Sequence, residues 1–68
     1  MTLNLEAVEK FAKIRNRSPH QSNLQFHIDL RVAGIDPKEL PKAEPMPGGF
    51  SWDLGFCLMM EIDGKITY

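Results

Sequence analysis

A single cysteine, Cys57, excludes a disulfide within the 68-residue chain. The only two histidines, His20 and His27, have no second Cys or His in close pairing, whereas a structural zinc takes about four ligands, usually in close pairs. The longest apolar run, Phe56 to Met60, falls far short of the roughly 20 residues that span a bilayer. The opening Met1-Thr2-Leu3-Asn4 lacks the basic region and apolar stretch of a signal peptide. Together with the lone thiol, this gives the expectation of a reducing, cytoplasmic location and no membrane contact. An excess of one charge sign is missing as well. Eight Lys and Arg stand against nine Asp and Glu, a net −1, which argues against a dedicated nucleic-acid binder.

What is present is an ordinary folding composition, 43% hydrophobic and 25% charged. The length sets one small domain, 1–68, which buries only about 60% of the surface its unfolded chain exposes. With no disulfide or metal, burial against a second copy or a larger partner is the available supplement to the core. Charge is uneven: the first half carries five Lys and Arg against three acids, the second half three against six. Such polarity suits orientation of a partner.

A helix is expected over Leu5–Arg15. Asn4 is a good N-cap, and Leu3 with Val8 occupy the staple positions. Leu5, Val8, Phe11 and Ala12 form an apolar stripe, and Glu6–Lys10 and Glu9–Lys13 are i,i+4 pairs. Ser18-Pro19 ends it. Next, Leu24, Phe26, Ile28, Leu30 and Val32 alternate with Gln25, His27, Asp29 and Arg31, the period-2 pattern of a strand with one wet face. Asp36-Pro37-Lys38-Glu39 is a cap followed by a proline, so a short helical or 3₁₀ turn is expected there, stopped by Pro41. Pro41–Gly49, with three prolines and two glycines, reads as an irregular loop unable to join a ladder.

Phe50–Tyr68 reads as a β-hairpin with apolar residues on both faces. Trp52, Leu54, Phe56, Leu58, Met60 and Ile62 alternate, while Cys57 and Met59 occupy the opposite face. Asp63-Gly64 permits two registers. A two-residue type I′ turn pairs Ile62 with Lys65 and puts Ile66 and Tyr68 on the Cys57/Met59 face. A three-residue loop instead pairs Met60 with Ile66 and gathers the apolar residues on one face. Turn propensity favours the first register and amphipathicity the second. The expected fold is therefore α+β, one N-terminal helix on an antiparallel sheet of about three strands (α-β-β-β), with the short helical turn between strands 1 and 2.

No catalytic constellation emerges. Apolar neighbours raise the pKa of Cys57 and oppose thiolate formation, the acids Asp53 and Glu61 have nothing converging on them, and Gly48-Gly49 lacks a phosphate-loop context. No cofactor or small-molecule substrate is indicated. The candidate partner-binding residues are Trp52, Met59 and Tyr68, aromatic and methionine types enriched in interface cores, with His27, Asp29 and Arg31 as a polar recognition strip. Lys13, Arg15 and Arg17 form the alternative, a nucleic-acid contact; with no aromatic among them in sequence, base stacking is not indicated. The function expected is stoichiometric protein binding, as a homodimer or by occluding a larger partner, through strand addition or face packing by the hairpin. Small inhibitors of phage or mobile-element type, anti-CRISPR proteins included, share this general profile, although no motif identifies such a family. The other reading is a nucleic-acid-binding regulator using the basic helix end.

Overall fold

The computed structural model describes residues 3–17 and 22–68. Asn4 starts helix α1 (Leu5–Arg17) as its chemistry suggests: its side-chain oxygen accepts the Ala7 backbone N–H at 2.9 Å. Leu3 and Val8 are both buried, as a hydrophobic staple requires. The buried face is Ala7, Val8, Phe11, Ala12 and Arg15. Leu5, expected in that stripe, is exposed, and Ala7 takes its place. Glu6 and Lys10 approach to 3.7 Å on the outside, whereas Glu9 and Lys13 form no ion pair among the described residues. The expected stop at Ser18-Pro19, and His20, lie outside the described residues.

The segment expected as the first strand is helix α2 (Asn23–Val32). Both of its ends are specified locally. At the start, the Gln25 backbone N–H donates to the Ser22 hydroxyl at 3.2 Å. At the end, Gly34 takes φ +87°, its N–H donates to the Arg31 carbonyl at 3.0 Å, and the Ile35 N–H reaches back to the Leu30 carbonyl at 2.8 Å. This is a Schellman motif, completed by the burial of both Leu30 and Ile35. The period-2 pattern is real, but it resolves into two i,i+4 rows on opposite sides of a helix: Phe26 and Leu30 inward, Leu24, Ile28 and Val32 outward. The 3₁₀ turn (Pro37–Glu39) forms where expected, with Asp36 accepting the Lys38 N–H at 3.0 Å.

Four strands follow in a plain antiparallel meander: β1 (Glu44–Met46), β2 (Gly49–Asp53), β3 (Leu58–Ile62) and β4 (Lys65–Thr67). The fold is thus α+β, with two helices and four strands among the described residues. The proline-rich segment does join the ladder: Glu44 pairs with Ser51 and Met46 with Gly49. Pro47-Gly48 makes the connection, with Gly48 at φ +87°. Gly49 is required by packing, because a Cβ there would lie 1.7 Å from the Glu61 carbonyl oxygen. The β3–β4 turn adopts the two-residue register, Ile62 with Lys65 and Glu61 with Ile66. Both Asp63 (φ 52°) and Gly64 (φ 81°) are left-handed, as type I′ demands.

Phe50–Ile62 is not one strand. Residues 54–57 form a turn closed by the Leu54 N–H donating to the Cys57 carbonyl at 3.0 Å, with Gly55 at φ +89°. Trp52 therefore pairs with Met59, and the two share a face. Trp52, Met59 and Ile66 form the sheet's inner face, all buried. They pack with Val8, Phe11, Leu30 and Ile35 in one core. Phe26 links the layers, edge-on to Phe11 at 5.1 Å and stacked on Trp52 at 5.5 Å.

Candidate functional site

Helix geometry decides what α2 presents. At about 100° per residue, Leu24, Ile28 and Val32 form one row, with His27 and Arg31 in the row beside it. The other side carries Phe26, Asp29, Leu30 and Ala33 toward the protein. The outward row is open: Leu24 is 72%, Ile28 44% and Val32 68% exposed. His27 and Arg31 are exposed as well, and no acidic side chain faces outward on this helix. The surface is an apolar ridge with a basic flank.

The helix is held in place by a polar cluster beneath it. The Arg15 guanidinium on α1 donates to Asp29 on α2 at 3.3 Å and to Glu61 on β3 at 3.4 Å. Gln25 donates to the other Asp29 oxygen at 2.9 Å. The guanidinium also lies 5.2 Å from the Phe26 ring centroid, a cation–π distance. Arg15 Nε is buried with no hydrogen-bond partner among the described residues. Such a network fixes geometry more than it adds stability, since desolvation offsets most of the attraction.

The expected site residues therefore divide. His27 and Arg31 lie on the ridge's flank, on a helix and not on a strand. Asp29 does not stand on a wet face with them; it is buried against Arg15. Met59 and Trp52 belong to the core, so neither is on an exposed surface. Tyr68 is 54% exposed. Of the basic run, Lys13 and Arg17 are exposed, while Arg15 is turned inward. Leu24, Ile28 and Val32 were missed, because a strand would have placed them in the core. The signals that identify them are Ser22 and Gly34, the two caps.

The sheet edges bear on how a partner could attach. On β4, the Asn16 side chain of α1 occupies both backbone groups of Ile66: its oxygen accepts the Ile66 N–H at 2.7 Å and its amide donates to the Ile66 carbonyl at 3.0 Å. On β1, Pro45 has no N–H to offer. Strand addition finds neither edge well prepared. The outer sheet face, with Leu58 exposed and Met46, Met60 and Ile62 half-buried, is apolar but interleaved with Glu44, Ser51, Asp53, Lys65 and Thr67.

Among the described residues, no three His, Cys, Asp or Glu side chains are grouped to hold a metal ion, and no helix is long and apolar enough to cross a membrane. Burial pushes the Cys57 thiol above its ordinary pKa, which works against nucleophilic use. Comparison with protein families finds no model that matches this chain, and comparison with curated proteins and with solved structures finds no significant match.

Proposed function

We propose that this chain is a non-enzymatic protein-binding module that docks the α2 ridge into an apolar groove of a larger protein, and so covers a functional surface there. The observation that carries this reading is the open row Leu24, Ile28 and Val32 on a helix whose ends and inward face are fully specified. Large apolar side chains left in water at regular i,i+4 spacing are the anchors of helix-in-groove recognition. The flanking His27 and Arg31, with no outward acid on the helix, fit a groove with acidic residues along one rim. A second copy fits less well. One ten-residue helix, about 15 Å long, offers little toward the roughly 800 Å² per partner of a stable flat interface, whereas a groove that wraps the helix also buries its flanks.

The test is affinity capture from extracts of the chain's own host, comparing wild type with Leu24→Asp/Ile28→Asp, with Arg31→Glu and with the sheet-face variant Leu58→Asp. The expected result is a stoichiometric partner retained by wild type and Leu58→Asp, lost by the double variant and weakened by Arg31→Glu. A complex indifferent to the double variant overturns the reading. So does light scattering that shows a wild-type dimer dissociated by Ile28→Asp, because a second copy would then occupy the ridge.

A further inference from the structure

The fold brings together residues that are far apart in sequence. Glu9, Lys13 and Arg17 form an i, i+4, i+8 row along α1, with Ala12 and Asn16 beside it. Together with Tyr68 they line an open groove of about 430 Å³, within the size range of small-ligand sites. The Asn16–Ile66 amide pair sits two residues before Tyr68 and fixes the approach of that segment to α1. Lys13 and Arg17 have no ion-pair partner among the described residues, and Tyr68 is about half exposed. Two exposed cations one helical turn apart, with a half-exposed tyrosine lining the same groove, are the two elements that single-stranded nucleic acid binding combines: phosphate contacts and a stacking platform.

We propose that this groove binds single-stranded nucleic acid, with Lys13 and Arg17 on successive phosphates and one base stacked on Tyr68. Glu9, at the far end of the row, is placed to accept N–H groups from a base edge and disfavours a purely anionic ligand. Arg15, in the same basic run, takes no part because it is turned into the protein. A duplex offers no unstacked base to Tyr68 and is excluded from the stacking contact. The site is independent of the α2 ridge and shares no residue with it.

Fluorescence anisotropy with a short labelled oligothymidylate at low salt tests this proposal. Wild type is expected to bind, with affinity falling steeply as salt rises. Tyr68→Ala is expected to weaken binding roughly 5- to 100-fold, Tyr68→Phe to retain it, and Lys13→Glu/Arg17→Glu to abolish it, with circular dichroism confirming that each variant folds. In the unaltered protein, the oligonucleotide is expected to shift the Tyr68 ring-proton resonances. The proposal is overturned by no binding at low salt, by unmoved Tyr68 resonances, by binding insensitive to Tyr68→Ala, or by equal binding of a duplex of the same length. Complete displacement by matched tripolyphosphate would also overturn it, by reducing the groove to a general polyanion patch.

Discussion

At the residue scale, Arg15 best shows how one side chain organises this molecule. It sits among Phe26, Asp29 and Glu61 with its charge paired twice. Removing one partner from a buried pair leaves the other charge without compensation, at a cost of about 3–5 kcal/mol. Arg15→Met is therefore expected to lower unfolding stability by about that amount, and Arg15→Met/Asp29→Leu to recover most of the loss. Urea denaturation of the two variants checks both. A cost below about 1 kcal/mol for the single change would mean that the cluster is solvated and does not anchor α2. Sequence alone gave no hint of this role. Lys10, Lys13, Arg15 and Arg17 look alike in a list, and only the helix phase, with Val8, Phe11 and Ala12 buried, turns Arg15 inward. Met59 was misplaced by the same kind of error at the level of a strand. A turn at residues 54–57 shifts the alternation by one, so Met59 shares a face with Trp52.

At the element scale, what could be read from the sequence was whatever carries its signal within a few residues. The Asn4 cap, the Leu3/Val8 staple and the Asp36-Pro37 start are all local chemistry, and the structure contains each of them. At Asp63-Gly64, where turn propensity and amphipathicity favour different registers, the structure takes the register of turn propensity. Helix α2 was misread because its five apolar residues satisfy strand alternation, while the cap signals that contradict it lie just outside the pattern. The β1 strand was missed for a related reason: Pro45 and the prolines flanking the strand argue against a ladder position, yet an edge strand tolerates a proline. The caps now carry a prediction of their own. Gly34 sits at φ +87° with open space where a Cβ would be, so Gly34→Ala acts through backbone strain alone and is expected to cost about 1–2 kcal/mol. The loss should appear in a thermal melt with no change in the folded-state spectrum. A neutral outcome would show that the Schellman motif does not set the end of α2.

At the scale of the whole molecule, the alternation of residues 24–32 and the tertiary structure disagree most at the proposed binding ridge. A strand would have hidden Leu24, Ile28 and Val32 with Phe26 and Leu30. The helix buries only the latter row and leaves the former in water. Departures of this kind from local consistency concentrate at functional positions. The two sheet edges are poorly prepared for strand addition, with Asn16 on the β4 edge and Pro45 on the β1 edge. The measurement that reaches this claim most directly is methyl NMR with a soluble paramagnetic probe, read together with the Cα shifts of residues 23–32. The account predicts helical Cα shifts, strong broadening of the Leu24, Ile28 and Val32 methyls, and protection of Leu30 and Val8. Extended-chain shifts, or protection of all five alternating apolar residues, would contradict it.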